Sequence, residues 1–381
     1  MTLIKINRKI LVIENSTGIT GAFKSVFSLT NSIRENFIFH FAIQKNSPVK
    51  EILKRENIPW IEIPFLEIGK NINLIFYIPR LLINSWITLR YCQRHDITVV
   101  HVNDLYNMIG VIIKLFRRRI KIIYHIRLLP DSYAAKLYSV WRSIILRFAD
   151  ELVAVSEAVL KAFDNNSKIN LIYDFIPLQQ QWGFLEKDPA RVTFLYPANY
   201  MQGKGQDFAL QAFINLIKLK GDCRLQFVGS DLGLRKNFQF RKELEKKALA
   251  FGILEKISFE DGNANIERLM KSSDVVLNFS ESESFSMVCY EALVYGCPLI
   301  STDCGGPREL IEDKVTGILV GNKDVAAMTS AMLALANELS FRIALGKNAR
   351  IQIQQKVTEH NASRRLALIY GRLFKSGEVT S

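Results

Sequence analysis

The sequence predicts an α/β chain made of two doubly wound parallel-sheet domains. Three observations carry the prediction. Short runs of Ile, Val, Leu and Phe alternate with longer helical patterns from end to end. Most of these runs are near-continuously apolar rather than alternating, as expected of strands covered on both faces. A polar break over residues 179–189 separates two halves that repeat the strand–helix theme, the pattern of a parallel α/β sheet.

In order, the first half places strands at 9–14, 37–44, 60–63, 98–102, 121–126, 152–155 and 169–173, with helices such as 22–34, 49–56 and 136–148 between them. The second half places strands at 192–196, 224–228, 257–260, 275–279, 298–301 and 317–320, and helices at 207–220, 237–251, 266–271 and 287–295. Residues 324–374 are helical in pattern, and the boundary between halves falls within 176–191. The N-terminal domain is thus 1–177 and the second domain 190–357. Two such domains imply a cleft, with ligands at the carboxyl ends of the strands.

Composition narrows the partners. The 381 residues carry a net charge of +13. Residues 1–190 hold 25 Lys/Arg against 16 Asp/Glu, and the remainder 25 against 21. A basic first half suits an anionic lipid, a phosphate-bearing substrate or nucleic acid, or serves solubility alone. The five cysteines show no C-x-x-C spacing, which argues against disulfides and zinc and fits a reducing cytosol. The polar, charged start from Met1 to Arg8 reads as no signal peptide. No apolar run reaches the roughly 20 residues that cross a bilayer. The nearest, 74–92, is broken by Arg80, Asn84 and Arg90. It reads as a helix starting near Pro79, with more apolar surface than one core face needs, set either in the core or at a membrane interface.

The chemistry concentrates in residues 280–310. Glu283 and Glu291 stand eight positions apart, separated by small and apolar residues, and Gly305-Gly306 follows a short strand. A helix starting near Ser286 would hold Glu291 in its first two turns, with Glu283 in the loop beside its free N–H groups, a ready anion site. Carboxylates flanking an anion site suit a ligand with hydroxyls and phosphates, such as a nucleotide-sugar. Lys204 lies between Gly203 and Gly205, ahead of a helix, as a point charge for a diphosphate or as a solvated turn residue. Gly18 and Gly21 follow the first strand, as a phosphate-approaching turn or a plain tight one. His101, Asn103 and Asp104 end one strand, and His125 and Arg127 the next. Strand C-termini commonly line the site of such sheets, although a lone His is more often structural. No D-x-D and no His pair at ligand spacing points to a metal.

With these residues in place, the chain resembles glycosyltransferase family 4, of the GT-B fold, over nearly its whole length. The specific element is Glu283-x7-Glu291 with Gly305-Gly306. VVHVND, IIYHIR, VAVSEAV, LIYDF and KGQDFALQAF agree in order. The resemblance implies two Rossmann-like domains facing across a cleft, acceptor-binding first and donor-binding second, with a last helix at about 360–381 crossing back. It implies retaining, metal-independent sugar transfer from a nucleotide-diphosphate-sugar such as a UDP-sugar, with no cofactor. The catalytic residues it implies are Glu283, on the donor sugar's hydroxyls, His125, near the reacting carbon, and Lys204, on the diphosphate. Glu291 would bind the ribose, and the N–H groups of Ser284, Phe285 and Ser286 the sugar and diphosphate. Gly18 and Gly21 would let the N-domain approach the phosphates.

One position departs from the family pattern. Family members often carry Gly-Arg where this chain has Ala198-Asn199. Asn199 can hydrogen-bond phosphate but brings no charge, so Lys204 with the helix start, or a nearby basic residue, has to suffice. LIYDF likewise replaces the usual Asn-Gly form. The acceptor is expected to be a glycan or lipid-linked sugar, met in the cytoplasm or peripherally at the inner face of an anionic membrane, during assembly of a surface polysaccharide such as lipopolysaccharide or capsule. Phe65, Phe76, Tyr77, Trp86 and Tyr91, with Arg80, Arg90 and Arg94, are compatible with that surface. The alternatives are a GT-B nucleotide-sugar epimerase and a non-catalytic nucleotide-sugar or nucleic-acid binder. The sequence shows no RNA-binding motif and no aromatic-basic interleaving, so no nucleic-acid partner is expected.

Overall fold

The computed structural model describes residues 8–65, 74–132, 135–164, 166–177, 191–262 and 265–378. The predicted linker at 179–189 lies outside the described residues. The chain divides into two compact units, Met1–Pro177 with Thr358–Ser381, and Leu178–Val357.

The first unit holds strands β1 (Lys9–Glu14), β2 (Ile38–Gln44), β3 (Trp60–Ile63), β4 (Val99–Val102), β5 (Lys121–Ile126), β6 (Glu151–Ala154) and β7 (Ile169–Leu171). Among the described residues they form one parallel sheet in the order β3-β2-β1-β4-β5-β6-β7. Helices α1 (Gly21–Asn31), α2 (Val49–Arg55), α3 (Leu74–Arg94), α4 (Ile109–Phe116), α5 (Ala135–Phe148) and α6 (Glu157–Lys161) connect them. The order reverses beside β1, so the switch point, where such sheets bind ligands, lies at the carboxyl ends of the paired strands β1 and β4.

In the second unit the elements are β8 (Val192–Pro197), α7 (Gln206–Leu219), β9 (Cys223–Val228), α8 (Arg235–Ala250), β10 (Ile257–Glu260), α9 (Ile266–Ser272), β11 (Val275–Asn278), α10 (Met287–Val294), β12 (Leu299–Thr302), α11 (Gly306–Leu310), β13 (Ile318–Val320), α12 (Val325–Asn337) and α13 (Leu339–Lys356). Its described strands pair in the order β10-β9-β8-β11-β12-β13, again all parallel. Phe194, Phe213, Phe227 and Met332 fill the core between sheet and helices. Both units are Rossmann-like, and the predicted strands form with their ends moved by a residue or two.

The last helix, α14 (Glu359–Glu378), belongs to the first unit. Its Tyr370 ring packs on Phe37 and Phe39. Its hydroxyl lies 2.6 Å from His101 Nδ1.

The start of α3 differs from expectation. The helix begins at Leu74 and Pro79 lies inside it. Proline fixes a φ that a helix accepts and removes a single N–H, so a position within the second turn tolerates it better than the middle would. The exposed apolar face foreseen for this helix is present: Leu82, Ile83 and Trp86 face solvent.

Candidate functional site

In the second unit, the β8–α7 turn carries Lys204. Gly203 and Gly205 adopt φ of +86° and +78°. A Cβ at Gly205 would sit 2.0 Å from Phe279 O, so only glycine allows this approach to the end of β11. Tyr196 clamps the same turn, its hydroxyl donating to Lys204 O and accepting from Phe279 N–H at 2.7 Å. Lys204 is therefore aimed by backbone, and its Nζ meets Glu283 Oε1 at 2.7 Å.

Glu283 is fixed from the other side. Its N–H donates to Cys304 O at 3.0 Å, and its carbonyl accepts from Gly306 N–H at 2.8 Å. A Cβ on Gly306 would lie 2.4 Å from Phe285 Cα, which explains the second glycine of the pair. Gly305 takes φ +106°. Ser286 caps α10 in a left-handed conformation, φ +73°, its Oγ accepting from Cys289 N–H. A non-glycine residue with positive φ at a loop–helix junction stores strain of a kind that collects at binding sites. The loop bearing Glu283 to Ser286 thus ends on a capped helix start, with Glu291 buried in the second turn of α10.

These contacts set the electrostatics. Burial pulls the Lys204 ammonium down, but the charge and hydrogen bond of Glu283 outweigh it, and its pKa rises. Lys204 stays charged, as a diphosphate ligand requires. Burial pushes Cys289 up to about 11 and Cys304 up to about 12, so neither thiol is a nucleophile at neutral pH. All five cysteines are buried and unbridged.

Asn199 has a structural task. Its Oδ1 accepts from Ser230 N–H at 3.1 Å, and its carbonyl accepts from Gln206 Nε2 at 2.8 Å. It ties the β8–α7 turn to the end of β9. Two cations that the sequence reading passed over pair with carboxylates of the loops after β11 and β12. Arg308, on α11, pairs with Asp303, and Lys323 pairs with Glu281 at 2.6 Å. Only position gave a hint: Arg308 follows directly on Gly305-Gly306-Pro307.

In the first unit, polar groups gather at the carboxyl ends of β1, β4 and β5. Asn103 Nδ2 donates to Glu14 Oε2, Arg127 Nε donates to Asn103 Oδ1 at 2.6 Å, and Arg127 Nη1 donates to Asp174 Oδ2 at 2.6 Å. Ser25 of α1 donates to Asp174 Oδ1. Glu14 also accepts from the N–H and hydroxyl of Ser16, at the start of the glycine turn. Asn103 and Arg127 therefore serve this buried network. Thr20 caps α1 through Phe23 N–H, so Gly21 is the first helical residue. A Cβ at Gly18 would meet nothing within 4 Å.

His125 is fully buried, and among the described residues neither ring nitrogen has a hydrogen-bond partner. Unsatisfied buried polar atoms are costly and uncommon. Its ring stacks on His101 at 5.3 Å. Burial, then the charge of Arg127, then His101 hold His125 well below 6.5, so its imidazole is neutral. His101 is held down to about 3 by burial and Arg127. Asp104 is pushed up to about 7, chiefly by burial.

Among the described residues no group of three or more His, Cys, Asp or Glu side chains is placed to hold a metal ion, and no helix is long and apolar enough to cross a membrane.

Residues 180–352 match the sequence family described as "Glycosyl transferases group 1". The match spans nearly the whole of the second unit, Leu178–Val357. The chain is 21% identical over 271 residues to the lipopolysaccharide core biosynthesis mannosyltransferase LpsB of Rhizobium meliloti, covering 68% of this chain and 75% of that protein. It is 24% identical over 237 residues to the N-acetyl-alpha-D-glucosaminyl L-malate synthase of Bacillus anthracis, covering 58% of this chain but only 59% of that protein. Among solved structures, Anabaena HepE in complex with UDP-glucose superposes with a TM-score of 0.80 at 18% identity, over 96% of this chain and 99% of that one. That likeness establishes the GT-B fold, two Rossmann-like parallel-sheet units.

Proposed function

We propose that this chain is a retaining, metal-independent glycosyltransferase of family 4 type. It moves a sugar from a UDP-sugar to a hydroxyl of a glycan or lipid-linked acceptor in surface polysaccharide assembly. The observation that carries the reading is the Lys204–Glu283 pair, 2.7 Å apart at the entrance to the capped start of α10. It presents a cation for a diphosphate and a carboxylate for sugar hydroxyls side by side. The LpsB and HepE likenesses support the polysaccharide setting and the uridine donor.

In this reading the diphosphate binds Lys204 and the N–H groups of Ser284, Phe285 and Ser286. Glu283 turns from Lys204 to the sugar, and Glu291 holds the ribose. Asn199 tethers its turn while offering its amide to phosphate, and Arg308 or Lys323 supplies charge that Asn199 lacks. His125 offers a neutral ring nitrogen to the transferred sugar, and the Gly18–Gly21 turn leaves room for phosphate. The bond from the sugar's anomeric carbon to the phosphate oxygen breaks as the acceptor oxygen bonds to the same face. The acceptor's proton passes to the departing phosphate. No metal or cofactor takes part. The reaction takes place in the cytoplasm, at the inner face of an anionic membrane.

The test is thermal stabilisation by UDP, GDP, ADP and CMP, since a ligand bound only by the folded state raises stability by mass action. A shift with UDP that disappears in Glu291→Ala supports the donor and ribose assignments. Equal shifts in wild type and variant refute the ribose role. Transfer of label from a UDP-sugar to an added acceptor in the presence of EDTA then separates a transferase from an epimerase or a binder.

A further inference from the structure

One face of the first unit is apolar, exposed and rimmed with cations. Along α3, Ile78, Leu82, Trp86 and Arg90 recur every four residues and so share a stripe. Trp86 is 56% exposed, and Ile78, Leu82 and Ile83 are exposed with it. At the end of α4, Phe116 is 67% exposed, next to an exposed Leu115. The two helices pack together and leave a groove of about 520 Å³, lined by Leu82, Trp86, Leu89, Ile112 and Phe116 among others. Scattered surface apolar residues need no explanation, but a contiguous patch marks an interaction site.

Charge says what covers it. The sequence has no acidic residue between Glu67 and Asp96, and none between Asp104 and Asp131. Lys114 and Lys121 are occupied by Asp150, and Arg127 is buried in its network. Arg90, Arg94, Arg117, Arg118 and Arg119 remain at the surface. Arg90 lies 4.3 Å above the Trp86 ring, so cation and aromatic face outward together. A second copy of this chain would bring its own arginines into the same two-fold interface and no acidic residue of these helices to meet them. An anionic bilayer offers phosphate to the arginines and an acyl boundary to the rings.

We propose that the α3–α4 face docks on an anionic lipid bilayer, with Leu82, Trp86 and Phe116 at the headgroup–acyl boundary and Arg117 to Arg119 on lipid phosphates. The proposal rests on the glycosyltransferase reading for its purpose, a lipid-linked acceptor met at its membrane.

Flotation of the full chain with phosphatidylglycerol or phosphatidylcholine vesicles tests it. Binding to the anionic vesicles that weakens with salt is the expected result. Arg117→Ala/Arg118→Ala/Arg119→Ala lowers the partition roughly 100-fold, at about one surface cation's worth per residue. Trp86→Ser/Phe116→Ser lowers it about tenfold through lost apolar burial. Brominated phosphatidylglycerol quenches fluorescence in wild type that Trp86→Ser lacks. Absent binding at low salt, or binding unchanged in both variants, overturns the proposal. So does a dimer that Trp86→Ser dissociates, which would assign the face to a second copy. UDP stabilisation is measured on the same proteins. Vesicle binding without a UDP response defeats the uridine-donor reading alone, and a UDP response without vesicle binding defeats the docking surface alone.

Discussion

Lys204 and Glu283, 79 positions apart in sequence, form an ion pair with Nζ and Oε1 2.7 Å apart, side chains 29% and 16% exposed. Each is held by its own glycine-dependent turn, which fixes the two backbones and leaves the side chains free to change rotamer. Donor binding in the proposed reaction must part them, the ammonium moving to phosphate and the carboxylate to sugar.

Their variants should therefore separate two losses. Lys204→Ala is expected to lower kcat/KM with a UDP-sugar by about 10²–10³-fold, the size of effect seen when one preorganised charge stabiliser is removed. Glu283→Gln should leave UDP affinity within a few-fold and weaken the UDP-sugar much more. Calorimetric titration of both ligands into both variants checks this, and equal losses for UDP and UDP-sugar would refute the sugar contact.

Gly306 and Gly18 should respond unequally to the same change. Gly306→Ala places a methyl 2.4 Å from Phe285 Cα, and overpacking of that kind costs about 1–3 kcal/mol. Gly18→Ala meets nothing within 4 Å. Urea midpoints should fall for the first and stay near wild type for the second. If both are neutral, the cradle around Phe285 is looser than described.

Arg127 joins Asn103 and Asp174 in the first unit, with Glu14 one bond further on. Arg127→Met leaves buried carboxylate without its cation, a change that costs about 3–5 kcal/mol. The measurement is chemical denaturation, and a loss under about 1 kcal/mol would show the pair to be near neutral for stability.

Three buried histidines set a pH dependence. Burial is the first cause in each: His40 is held to about 4, His101 to about 3, and His125 well below 6.5. Below pH 6.5 the unfolded chain protonates them while the folded chain does not, so the unfolded state binds more protons and stability falls with falling pH. The loss runs from 6.5 down to about 4 and about 3. Asp104, raised to about 7 from 3.8, opposes it, staying protonated in the fold over that window. Three groups against one leave a net loss. A melting temperature unchanged between about pH 7 and pH 4.5 would contradict it.

The strands were legible because most are short, near-continuous apolar runs bounded by polar turns, and a parallel sheet buried on both faces demands such runs. Glu283, Glu291 and the glycine pair were legible because their spacing is local. The partners of Asn103 and Arg127 were not, because Glu14 lies 89 positions from Asn103 and Asp174 lies 47 from Arg127. No periodicity records contacts of that range. The pairing of Lys204 with Glu283 was missed for the same reason, and the in-helix position of Pro79 because proline marks a start more often than an interior.

The Tyr370–His101 contact bears on how the protein is made. The ribosome finishes Met1–Pro177, then synthesises Leu178–Val357, and only then α14. At 5–20 residues per second that interval lasts roughly ten to forty seconds. Throughout it Phe37, Phe39 and His101 await the helix that covers them. The first unit to emerge is the last to be completed, and a nascent chain stalled before residue 358 offers chaperones an unsealed N-terminal half.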